Sequence, residues 1–69
     1  MTRRQRLAFL ILQLNYGFTS WRETIRLARA AALGDSSTAA TEAASAVSAC
    51  LAAADAALAS MGERELVTA

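Results

Sequence analysis

Arg22, Arg26 and Arg29 fall at steps of four and three along the chain. On a helix that spacing places three guanidiniums on one flank. Arginine keeps its charge and grips carboxylates with two parallel N–H donors, so the stripe is suited to an acidic groove on another protein. A solvated flank with internal ion pairs is the plainer reading, and phosphate of a nucleic acid is a third. The third is weakened by a net charge of only +1, by the absence of lysine and by the lack of convincing helix-turn-helix spacing. Tyr16 and Trp21 are the sole residues of their types. Both types are enriched where proteins bind one another. Tyr16, Arg22, Arg26 and Arg29 are therefore the candidate partner-binding residues.

Other chemistry finds little support. The chain has no histidine and no lysine, and its acids are scattered, so a positioned general base is hard to assemble. The sequence points to a non-enzyme with no catalytic residues. Cys50 is the only cysteine. That excludes a disulfide within the chain, leaves zinc without a ligand set, and fits a reducing compartment. Cys50 lies among alanines with no basic neighbour, which suits a small buried residue rather than a reactive thiol. Gly17, Gly34 and Gly62 stand too far apart for a phosphate loop. No cofactor, metal or small-molecule substrate is expected.

The elements that carry these residues are helical. The chain has 69 residues, no proline and a large alanine content, and alanine favours helix while burying little area. Leu7, Ile11, Leu14, Phe18, Trp21, Ile25, Ala28 and Ala32 recur at alternating steps of four and three. Ala40, Ala44, Val47, Leu51, Ala54, Leu58 and Met61 do the same. Two such seams predict an all-α antiparallel hairpin in one domain spanning 1–69. Helix 1 is expected over about 3–33, helix 2 over about 36–61, and a short tail over 62–69. Gly34 is suited to the left-handed position after a helix, Asp35, Ser36 and Ser37 to capping the next, and Gly62 to stopping it. Leu7, Ile11, Leu14, Phe18, Trp21, Ile25, Val47, Leu51 and Leu58 form the expected core.

A rival reading breaks helix 1 near Gly17, because Ser20-Trp21-Arg22-Glu23 has the form of a capping box. The seam runs through Gly17 in phase, which favours one continuous helix. Folding at Gly34–Asp35 would then pair positions whose numbers sum to about 69. Arg26 would approach Glu42, and Arg6 would approach Glu63.

Phe9, Leu12 and Tyr16 project from the flank opposite the seam. Leaving such side chains in water forgoes roughly 1.5–3 kcal/mol each. Their expected role is the interface of a homodimer, two hairpins forming a four-helix bundle, or else a docking patch for a different protein. The opening Arg3, Arg4, Arg6 and Leu7 to Leu12 imitates a signal peptide, but the charged residues that follow argue against cleavage there. The stretch Ala43 to Ala59 carries Asp55 and serines, so no membrane span is expected. Charge is uneven: six arginines and Glu23 in residues 1–34, five acids and Arg64 in residues 35–69.

The Met1-Thr2-Arg3-Arg4-Gln5-Arg6 opening and the stretch Leu14-Asn15-Tyr16-Gly17-Phe18-Thr19-Ser20-Trp21 resemble a family of anti-quorum-sensing proteins encoded by Pseudomonas phages. The resemblance spans the whole length and rests on no diagnostic motif. It implies a small early phage protein in the host bacterial cytoplasm. Such a protein binds the quorum-sensing transcription activator LasR and blocks its DNA binding. It also binds the type IV pilus assembly ATPase PilB and suppresses twitching motility, which helps to exclude competing phages. The resemblance assigns no binding residue. A structural virion or assembly subunit is the alternative, and a nucleic-acid-binding regulator a weaker one.

Overall fold

The computed structural model describes residues 1–68, with side chains through residue 62. Three helices and no strand occur among the described residues: α1 (Arg3–Tyr16), α2 (Trp21–Ala32) and α3 (Thr38–Thr68). The class is all-α, as the composition predicts.

The first predicted helix is broken in two. The cause is local backbone chemistry that outweighs the phase of the seam. Gly17 closes α1 in the left-handed region, φ 74°, and its N–H donates to the Gln13 carbonyl. Ser20 then opens α2 in extended conformation, and its Oγ accepts from the Glu23 N–H at 3.2 Å. A left-handed glycine followed by a serine cap satisfies the backbone groups that two helix ends expose. Only half of the expected capping box forms there, because the Glu23 side chain turns to Arg26 instead. The complete box lies at Thr2, where Thr2 Oγ1 accepts from the Gln5 N–H and the Thr2 N–H donates to Gln5 Oε1.

The turn between α2 and α3 follows the expected plan. Gly34, at φ 108°, and Asp35 return their N–H groups to the Ala31 and Ala30 carbonyls. This crossed pair is a Schellman motif. Asp35 Oδ1 accepts from the Ser37 N–H, and Ser37 Oγ accepts from the Ala40 N–H. The Ser37 N–H bond holds the Asp35 carboxyl below its ordinary range. α3 does not stop at Gly62 but continues to Thr68, since an isolated glycine costs a helix interior only about 1 kcal/mol. At 1.5 Å per residue its 31 residues reach about 46 Å, close to the 48 Å long axis of the molecule.

Both α1 and α2 pack on α3. The core lies along α3, at Ala40, Ala43, Ala46, Val47, Cys50 and Ala54, and receives Ala8 and Leu12 from α1 and Thr24 from α2. These are mostly small residues, and the largest fully buried side chains are Leu12, Thr24 and Cys50. Thr24 is satisfied by donating its hydroxyl to the Ser20 carbonyl at 2.6 Å.

The expected core is redistributed accordingly. Val47 is buried. Leu7, Ile11, Phe18, Trp21, Ile25, Leu51 and Leu58 are half-buried around the small residues. Leu14, placed in the core by the seam, is 76% exposed, whereas Leu12, placed on an outer interface, is fully buried. Phe9 is half-buried and lies against Trp21, ring centroids 5.9 Å apart. The pairing register shifts as well. Arg4 meets Asp55, and the residues beside Tyr16 on α3 are 41–46. Position numbers across α1 and α3 therefore sum to about 60 rather than 69, because the break after Tyr16 resets the alignment. Arg26 pairs with Glu23 and not with Glu42, while the expected partner of Arg6, Glu63, lies outside the described side chains.

Candidate functional site

Helix α2 presents its charged flank as a groove of about 450 Å³ lined by Trp21, Arg22, Ile25, Arg26 and Arg29. Its apolar flank is spent on α3. Thr24 is buried there, and Trp21 packs against the Ala8–Leu12–Cys50 cluster. That attachment fixes which way the arginines face. Trp21 and Ile25 are half-buried and supply its apolar lining, and the three arginines beside them are exposed. Arg26 donates Nε to Glu23 Oε2 at 3.0 Å and also pairs with Oε1. The bonds from Arg26 hold the Glu23 carboxyl below its ordinary range. Among the described residues Arg22 and Arg29 have no carboxylate partner. They stand seven residues apart, about 10 Å along the helix. A ligand that satisfied both would carry two anionic groups at that spacing and an apolar group between them.

Tyr16 does not join this groove. It is 51% exposed and lines a second cleft with Phe18, Thr41, Glu42, Ser45 and Ala46. The four partner-binding candidates thus fall on two surfaces with no lining residue in common. The proposed interface residues separate too. Leu12 is inside the fold, Phe9 is at the α1–α2 junction, and Tyr16 is outside. Leu10, at 50% exposure, and Leu14 take their place as the open apolar residues of α1. The seam could not single them out, because it was drawn through Leu14 itself.

Cys50 is buried on α3, and desolvation pushes its thiol above the ordinary range, away from nucleophilic use at neutral pH. No group of three metal-ligating side chains occurs among the described residues. Within α3, Thr38–Gly62 has a mean hydropathy of 1.5 and is long and apolar enough to cross a membrane by length and composition. In this fold α1 and α2 pack along the segment, and its exposed Asp55 pairs with Arg4. No protein-family model, curated protein or solved structure matches the chain.

Proposed function

We propose that this chain is a small phage-encoded inhibitor that acts by binding other proteins, not by catalysis. The observation that carries this reading is the α2 groove, where Arg22 and Arg29, which pair with no carboxylate among the described residues, line one surface with Trp21 and Ile25. An aromatic anchor beside charged donors is the make-up of a protein-binding hot spot. The sequence resemblance supplies the targets: LasR, whose DNA binding would be blocked, and PilB, whose inhibition would suppress twitching in the host cytoplasm.

A second copy belongs to the same reading. A core built mainly of alanine, with Leu12 its largest fully buried side chain, buries little area for a chain of this size. Pairing two chains through Leu10 and Leu14 would cover the two leucines of α1 that the single chain leaves in water. Sedimentation would then give twice the chain mass, and Leu14→Glu would return it to one.

The direct test is co-purification of the tagged chain with LasR and with PilB, each purified separately. Capture of either that is lost in the Arg22→Glu/Arg29→Glu variant, with helical content unchanged, supports the proposal. Failure to capture both, or capture indifferent to those charges, overturns it. Recovery of the chain with capsid or portal proteins instead would favour a structural subunit, and recovery in the membrane fraction would give the apolar length of α3 a different meaning.

A further inference from the structure

Tyr16 ends α1 and Phe18 lies in the link to α2, one residue to either side of the left-handed turn at Gly17. Both rings line one cleft of about 410 Å³ against the first turns of α3, with Thr41, Glu42, Ser45 and Ala46. Its volume falls within the range of about 300–1,000 Å³ over which protein pockets hold ligands. The polar side chains of α3 in it are the Glu42 carboxylate, which only accepts hydrogen bonds, and the Thr41 and Ser45 hydroxyls, which can accept or donate. Glu42 makes no ion pair among the described residues. The arginine expected beside it, Arg26, is held by Glu23.

We infer that this cleft is a receptor for an arginine side chain presented by a different protein. Two aromatic residues beside one unpaired carboxylate and two hydroxyls suit a ligand that is flat, cationic and able to donate several N–H bonds, on an apolar stem. The guanidinium meets each demand: it stacks on rings, donates two parallel bonds to a carboxylate, and has donors left for hydroxyls. An ammonium group would meet the charge but not the shape. An anionic or purely apolar ligand would leave Glu42 facing it without a partner.

Two of this chain's own arginines, Arg26 and Arg4, are already engaged in ion pairs. The inference rests on the reading of the chain as a protein-binding molecule and adds to it a second surface of opposite charge. One partner would offer acidic groups to α2, and another, or another part of the same one, would offer arginine to the Tyr16–Phe18–Glu42 cleft.

The test is a nuclear magnetic resonance titration of the full chain with a short alanine-rich helical peptide carrying one arginine. Matched peptides carry lysine or the neutral isostere citrulline at that position. The arginine peptide is expected to shift the Tyr16 and Phe18 ring signals and to bind about tenfold more tightly than the citrulline peptide. Glu42→Gln should erase that difference. Tyr16→Leu should weaken the arginine peptide while leaving its preference over citrulline. Both changed residues are exposed, so circular dichroism should be unaltered. Equal binding of arginine and citrulline peptides would overturn the inference. So would shifts confined to Trp21 and its arginines, or occupation of the cleft by a second copy through Arg29. Because the readout is direct peptide binding, its failure leaves target capture by the α2 groove standing, and failure of capture leaves this result standing.

Discussion

Arg4 and Asp55, separated by 51 positions in the chain, are joined by two parallel hydrogen bonds, Nε to Oδ1 at 2.6 Å and Nη2 to Oδ2 at 3.0 Å. Both side chains remain about half exposed, so the pair adds little stability. Its weight is in alignment, since it fixes which turn of α3 the start of α1 lies beside. The bond from Arg4 holds the Asp55 carboxyl below its ordinary range. A depressed carboxylate contributes stability that is complete above the unfolded-state value and is lost as pH falls through the folded-state value. Asp55→Asn is therefore expected to lower the melting temperature slightly at neutral pH and low salt. The difference from the parent should shrink as pH falls below the carboxylate range, and also in high salt. Thermal melts across pH and ionic strength check both, and a difference that grew towards acid would contradict the pairing.

Gly17 ends α1 at a left-handed φ of 74°. A Cβ there would meet no atom within 4 Å, so the cost of Gly17→Ala is conformational only. Holding alanine at a left-handed φ costs about 1 kcal/mol or slightly more. Ser20→Ala, which removes the cap on the Glu23 N–H, should cost about 1 kcal/mol as well. Urea denaturation measures both. A stabilised Gly17→Ala variant would mean that α1 and α2 run on as one helix.

Leu12 and Leu14 reverse the roles their spacing suggests. Leu12→Ala opens a cavity between α1 and α3 and should destabilise the chain by about 2–5 kcal/mol. Leu14→Ala removes an exposed side chain and should leave the stability of the single chain within about 0.5 kcal/mol. If the two variants melted alike, Leu14 would have to be buried in solution.

The class of the fold was readable from alanine content and periodicity, and the α2–α3 turn from Gly34, Asp35 and Ser37. The inner face was not. A seam drawn through the large residues assumes that they meet at the centre. Here most of the fully buried positions hold small side chains, among them Ala8, Ala43, Ala46 and Ala54, and Leu7, Ile11 and Leu51 pack half-buried against the cluster that holds Ala8, Ala46 and Ala54. Ser20 and Glu23 point to a break at Gly17, but a seam that stays in phase argues for one helix. Four non-helical residues after Tyr16 happen to preserve a spacing that no longer reports a shared face. The arginine groove was visible as spacing on α2. The acidic cleft was not, because Phe18, Glu42 and Ser45 meet only in the shifted register.

Cys50 is 1% exposed, and burial raises its thiol. It should react with aromatic disulfide reagents only as fast as the fold opens. Denaturant that populates the unfolded chain should accelerate the reaction in step with unfolding. Rapid labelling of the native chain at neutral pH would place the thiol outside the core.

Phe9 and Trp21 make the ring contact between α1 and α2, tilted by 59° with centroids 5.9 Å apart. Such pairs contribute about 0.5–1.5 kcal/mol beyond the area they bury. Trp21 also packs on the cluster that holds Ala8 and Leu12 of α1, so the ring pair is one of the contacts through which one helix reports on the other. Phe9→Ala should open one side of the Trp21 indole to water, moving its emission to longer wavelength. It should also loosen the apolar lining of the α2 groove. Binding at the arginine stripe is then expected to weaken although no groove residue has been changed, while Phe9→Leu, which keeps apolar cover, should weaken it less. Trp21 fluorescence and partner affinity measured on the same samples test this coupling. An emission shift with full affinity would show that the groove binds through its charges alone and that its apolar lining is not used.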